Sequence, residues 1–270
     1  MRSSASLLGP STFLLLLFSA ELPAEAAGPW VDRAMTLPRH DWAFNFGLGL
    51  AHNGGQGRLL PGPPDVPGPV GPGFNIEGAF GVTHAVQLGL RTGIRSGPRA
   101  RAEDADVYGR PFDTETYGTG VETIANPEFY VRGGLVEGDV VELGLEGRVM
   151  SPFSQGLGLM FGIPLALHIG RVARLDTGVY VPFLFYDPTQ SLVSFPFHLW
   201  LQLSPRFWLG PMVGVRVHTS NNTRSEIPIG FGLGYSATRS LDFKAQFLFP
   251  DANGPTDRWG VGAGIEVRVE

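Results

Sequence analysis

The chain has 270 residues, with 38 glycines, 23 prolines, no cysteine, 17% charged side chains and a formal charge of −5, and its mean hydropathy is +0.06. So little charge at that hydropathy excludes intrinsic disorder, and the glycine and proline content disfavours a helical soluble enzyme. The acidic balance leaves no basic footprint for nucleic acid, and without Cys there is no disulfide, thiolate metal site or Cys nucleophile.

Arg2, the apolar run Thr12-Phe13-Leu14-Leu15-Leu16-Leu17-Phe18 and the small-residue stretch Ala24-Glu25-Ala26-Ala27 have the three-part form of a cleaved export signal. The apolar run is far shorter than the roughly 20 residues of a bilayer-spanning helix, so it is read as a signal peptide over 1–27. Residues 28–40 are then expected as a short periplasmic N-terminal segment, and 41–270 as one folded unit. No later window is apolar for long enough to form a spanning helix.

From there on the pattern has period two. Trp42, Phe44, Phe46, Leu48 and Leu50 alternate with Ala43, Asn45, Gly47, Gly49 and Ala51. Val141, Leu143, Leu145 and Val149 alternate with Glu142, Gly144, Glu146 and Arg148. Leu241, Phe243, Ala245, Phe247 and Phe249 oppose Asp242, Lys244, Gln246 and Leu248. At the end Trp259, Val261, Ala263, Ile265, Val267 and Val269 oppose Gly260, Gly262, Gly264, Glu266, Arg268 and Glu270. One face is apolar and the other is glycine and charge, which is strand geometry. Strands are expected at 41–52, 72–82, 85–95, 126–136, 139–150, 157–169, 174–186, 191–203, 206–218, 226–237, 240–249 and 258–270. Each is near the 9–11 residues that carry a tilted strand across a bilayer.

The connections alternate in length. Short turns lie at Thr83-His84, Glu137-Gly138, Arg171-Val172, Ser204-Pro205 and Ala237-Thr238, and longer loops at 52–71, 96–125, 151–156, 187–190, 219–225 and 250–257. A soluble sandwich has no reason to sort its loops in this way, whereas a transmembrane barrel does. The expected fold is all-β, a transmembrane antiparallel β-barrel of about 12 strands with both termini periplasmic. Its apolar face meets lipid, and its glycine-and-charge face meets the lumen. Trp42, Trp259, Phe207, Trp208, Tyr235, Phe185 and Tyr186 sit at expected strand ends, where interfacial aromatic girdles form. Pro61–Pro72 reads as a stiff outer spacer or lid, and the acidic loop 96–125 as a solvated loop.

The segment Gly73-Phe74-Asn75-Ile76-Glu77-Gly78-Ala79-Phe80-Gly81-Val82-Thr83-His84-Ala85-Val86-Gln87-Leu88-Gly89-Leu90 resembles the strand, tight turn, strand unit of bacterial outer-membrane β-barrels. More faintly, the chain resembles the barrels associated with meta-pathway phenol degradation. The resemblance implies a bacterial outer-membrane location, contact with lipids and lipopolysaccharide, delivery by the outer-membrane assembly machinery, and passive uptake of a small solute.

The inward parity collects Glu77, Glu128, Glu142, Glu146, Asp176, Asp242 and Glu266 against Arg91, Arg132, Arg148, Arg216, Lys244 and Arg268. The signs nearly balance. A turn centred on 84 sets Glu77 opposite Arg91, and a last hairpin centred on 255 sets Lys244 opposite Glu266 and Asp242 opposite Arg268. Such pairs either hold a filled barrel together or form a constriction that selects small polar solutes. His168 and His198 are also inward, with no second ligand beside either.

His218-Thr219-Ser220-Asn221 resembles the H-x-S-N stretch of outer-membrane phospholipases and lipid A deacylases, which implies a lipid hydrolase using His218 and Ser220. Against it, the parity turns both residues to the lumen, and the position expected for a third member is Gly232, with Glu226 as the substitute. The reading is therefore a narrow passive channel that is not an enzyme, with no cofactor, no metal and no nucleic-acid partner. The alternatives are a structural barrel closed by ion pairs, and the hydrolase.

Overall fold

The computed structural model describes residues 28–53, 68–95, 124–150, 157–185, 190–218, 225–249, 251–253 and 258–270. The expected signal peptide, Tyr186, most of the Pro61–Pro72 stretch, nearly all of the 96–125 loop, and Thr219, Ser220 and Asn221 lie outside those residues. Among the described residues no helix is long and apolar enough to cross a membrane, which says nothing of strands.

Twelve strands form one closed antiparallel sheet in sequence order: β1 (Trp42–Asn53), β2 (Gly68–Gly81), β3 (Val86–Arg95), β4 (Ile124–Glu137), β5 (Val141–Met150), β6 (Gly158–Ile169), β7 (Ala173–Leu184), β8 (Gln190–Gln202), β9 (Phe207–His218), β10 (Ile229–Ser236), β11 (Leu241–Phe249) and β12 (Arg258–Val269). Closure is made by β1 on β12, from Trp42 opposite Val269 to Asn53 opposite Arg258. The first and last strands therefore leave the barrel at one rim. That rim also carries the short turns, such as the one where the Val82 amide bonds to the Val86 carbonyl at 2.8 Å.

Two differences from the sequence reading have local causes. β2 begins at Gly68, so Pro69 and Pro72 belong to a strand, with Pro72 opposite Leu50 next to an irregularity in the β1–β2 register at Ala51/Asn53. A proline is tolerated where the ladder is already interrupted. The last hairpin is centred one residue earlier than expected, with Asp242 opposite Glu266 and Lys244 opposite Gly264.

Period two resolves into two faces. Leu48, Phe161 and Leu90 are more than half exposed on the outside, as lipid-facing side chains of an isolated barrel must be. Most inward positions are buried, and β6 alternates almost residue by residue. Inward glycines seat aromatic rings from neighbouring strands. A Cβ on Gly234 would lie 2.0 Å from the Trp208 ring, on Gly89 2.0 Å from the Tyr130 ring, and on Gly162 2.5 Å from the Tyr180 ring. At Gly47 a Cβ would meet nothing nearer than 3.8 Å. Gly234→Val is accordingly expected to cost about 1–3 kcal/mol through overpacking, lowering the urea midpoint at which the detergent-solubilised barrel loses its heat-modifiable gel migration. Gly47→Ala should leave that midpoint unchanged.

Candidate functional site: a lumen closed by the N-terminal segment

Residues 28–41 do not stand off in the periplasm. The Asp41 carbonyl takes the Gly81 amide at 2.9 Å and extends the β1–β2 ladder by one pair, and His40, with φ +73°, turns the chain back. A Cβ on Gly81 would lie 1.9 Å from the Pro38 carbonyl oxygen, so the segment passes over a position that only glycine can occupy. It then runs across the lumen as a strap ending in a one-turn 3₁₀ helix at Trp30–Asp32.

The strap's contacts reach much of the way round the wall. The Leu37 amide donates to Gln87 of β3 at 3.0 Å, and Arg132 of β4 donates to the Met35 carbonyl at 3.3 Å. The Met35 amide donates to Glu142 of β5, and the Val31 amide to Gln202 of β8 at 3.3 Å. Nδ1 of His168 on β6 lies 2.7 Å from the Val31 carbonyl. Arg174 of β7 donates to the Arg33 carbonyl. Arg33 itself makes a two-pronged ion pair with Asp242 of β11. Trp30 stacks on Trp208 of β9 with ring centroids 4.3 Å apart and meets Trp200 of β8 edge-on at 5.5 Å. A segment that touches β3 and β11 alike must lie inside the closed wall. Trp30 and Val31 are almost wholly buried there.

The inward charges form two groups. On β2 to β5, Arg132 pairs with Glu146 at 2.6 Å, and Arg148 bridges Glu128 and Glu146. Tyr130 donates to Glu77 at 2.7 Å and accepts from Gln87 at 3.0 Å. Buried Arg91 lies opposite both Glu77 and Glu128. On the other side Glu266 takes both Lys244 and Arg268, and Asp176 takes Arg174 at 2.6 Å and the Trp200 indole at 3.0 Å. Towards the long-loop end Arg216 pairs with Glu226 at 3.1 Å.

All thirteen charged residues expected inward therefore lie on that face, but some partners differ from the sequence reading. The shifted hairpin leaves Lys244 with Glu266 across a diagonal, and Asp242 takes Arg33 rather than Arg268. Sequence reasoning also missed three members. Arg174 shares the parity of Asp176 and was legible. Arg33 was not, because the strap has no periodicity. Glu226, considered only as a catalytic substitute, is bound to Arg216. His218 ends β9 opposite Leu192, and its expected partner Ser220 lies outside the described residues.

The strap lies between two cavities lined by described residues. One, of about 100 Å³, lies on its inner side, bordered by Ala43, Asn45, Glu77, Arg132, Arg174 and Arg268. The other, of about 510 Å³, opens at the short-turn rim between Asp32, His84, Glu137, Asp139, His168 and Arg171. Ala34 and Thr36 border both, so the partition there is the strap itself. Among the described residues no group of three or more His, Asp or Glu is placed to hold a metal ion.

No family model matches the chain, and no curated protein matches it. Solved structures do. The NanC porin superposes with a TM-score of 0.59 at 7% identity, over 83% of this chain and 98% of its own. An outer-membrane channel from Pseudomonas putida F1 gives 0.58 at 10% identity, over 89% and 99%, and the KdgM porin 0.52 at 7%, over 82% and 98%. The chain shares the closed twelve-stranded barrel of these outer-membrane proteins. At such identities the likeness is one of architecture, and it covers nearly the whole of each neighbour.

Arg33→Ala leaves Asp242 buried without its strap partner, and is expected to destabilise the strapped state by on the order of 3 kcal/mol. Limited proteolysis of the folded barrel should then cut the strap, while Arg33→Ala with Asp242→Ala should recover part of the protection.

Proposed function

We propose that the protein is an exported outer-membrane channel through which small polar solutes pass passively, and that the strap closes it at rest. The observation that carries this reading is the partition at Ala34 and Thr36. What separates the two cavities there is a segment of chain held by hydrogen bonds, ion pairs of Arg33 and Asp32, and ring stacking, rather than the strands of the barrel wall. The porin architecture supports the reading, as does the room at Gly47 on β1, where an added Cβ would make only ordinary contacts, at 3.8 Å or more, and where the strap makes none of the bonds described above. A path along that glycine strip would be lined by backbone and by Asn45, with Glu266 and Arg268 at one side and Glu77 at the other. Its near-balanced charge suits small neutral or zwitterionic solutes better than a strongly charged one. Outer-membrane lipids, lipopolysaccharide and the assembly machinery are its surroundings and carriers in this reading.

The buried ion pairs favour a second reading, a structural barrel that transports nothing. Planar-bilayer recording separates the two. The full chain is expected to give small or infrequent openings, and removal of residues 28–37 a steady conductance several-fold larger, because a narrow lumen conducts in proportion to its open section. In the shortened chain a Gly47→Cys substitution, treated with a bulky thiol reagent, should reduce that current by about half or more. A correctly folded shortened barrel that stays silent would leave the structural reading in place.

A further inference from the structure

The strap is held at the short-turn rim by two side chains that also hold each other. Nδ1 of His168 lies 2.7 Å from the Val31 carbonyl, and its Nε2 lies 2.8 Å from Oε1 of Glu142, while the other Glu142 oxygen accepts the Met35 amide. A carbonyl oxygen brings no proton, so Nδ1 must donate. An ionised carboxylate brings none either, so Nε2 must also donate or Glu142 must itself be protonated. Both bonds therefore exist only when the pair holds one proton more than a neutral imidazole with a carboxylate. Both side chains are buried, and each grips a different strap residue.

We propose that His168 and Glu142 form a proton-operated latch on the N-terminal strap, closed when the pair carries the extra proton and released when it is lost. Without that proton, either the Nε2 lone pair faces a carboxylate oxygen or the ring changes tautomer and abandons the Val31 carbonyl. The first sets His168 against Glu142 and the second frees the Val31 carbonyl, so each breaks one side of the grip on the strap. The surrounding charges do not supply the missing donor. Arg174, opposite His168 on β7, is spent on Asp176 and the Arg33 carbonyl. Arg171 is on Asp32, and Arg33 is on Asp242. The turn residues Glu137 and Asp139 that border the same mouth bring acceptors when ionised. His84, on the β2–β3 turn, borders the mouth and gives the strap only its backbone carbonyl, which accepts the Thr36 hydroxyl at 3.1 Å. The inference deepens the channel reading and rests on it for any effect on conductance, but strap motion can be read by itself.

The chain has no cysteine, so a single Ala34→Cys in the full-length protein carries a nitroxide label between the two cavities. Its electron paramagnetic resonance spectrum, taken in detergent between pH 5 and pH 8, reports the strap. An immobilised spectrum is expected at pH 5. Towards pH 8 a mobile component should grow, with the open-to-closed ratio rising about tenfold, the factor that corresponds to one buried hydrogen bond left unmade. Glu142→Gln supplies an amide that can donate to neutral His168 and still accept from Met35, and should hold the label immobile at both ends of the range. His168→Phe should leave it mobile at both, and His84→Gln should keep the parent's transition. Heat-modifiable migration checks that each variant is folded. A parent spectrum unchanged with pH would overturn the latch, as would the same transition in Glu142→Gln or His168→Phe. A mobile strap with a silent bilayer would remove the channel reading and leave the latch, whereas pH-gated currents with an immobile strap would remove the latch alone.

Discussion

In hydrocarbon every backbone amide and carbonyl must find its partner within the protein, and a sheet meets that demand only by closing on itself. The pairing of β1 with β12 is that closure. Once it is made, each strand has one face in lipid and one in a confined interior, and the side-chain alternation follows from the pleat. The same closure brings the first residue of β1 and the last of β12 to one rim, beside the short turns, and so puts the segment preceding β1 at the mouth of the lumen.

The interior then poses a packing problem, met with two kinds of material. Large rings are seated on glycines of the neighbouring strand, as Trp208 is on Gly234 and Tyr130 on Gly89. A charge in such a space is costly unless it is paired, and the carboxylates of the wall meet guanidinium, ammonium, imidazole or backbone donors. The strap enters on the same terms. It brings one guanidinium to Asp242, one indole to the Trp200 and Trp208 pair, and backbone groups to side chains of the wall. A plug built in this way is continuous with the core in chemistry, and it joins the sheet through the pair of Asp41 with Gly81.

Most of the wall was legible in the sequence, because a strand that faces lipid on one side and a lumen on the other writes its period into every second residue. Glu77 opposite Arg91 followed from the tight turn at Thr83-His84 alone. The last hairpin was less legible, since eight residues between strand ends admit several centres, and a shift of one there sets Asp242 opposite Glu266 and Lys244 opposite Gly264. The strap was not legible at all. Trp30, Arg33 and Leu37 lie on no period-two face, and their partners lie on strands from β3 to β11, which are near neighbours only after the sheet has closed.

What the sequence by itself determined is the two-faced strand, its length, its repetition and the identity of the inward charges, since these depend on local geometry and on which solvent each face meets. The tertiary structure alone decided which charges pair, that the lumen is partitioned, and that the partition is the chain's own N-terminal segment. Those outcomes depend on distances across the barrel, and such distances exist only once β1 has met β12.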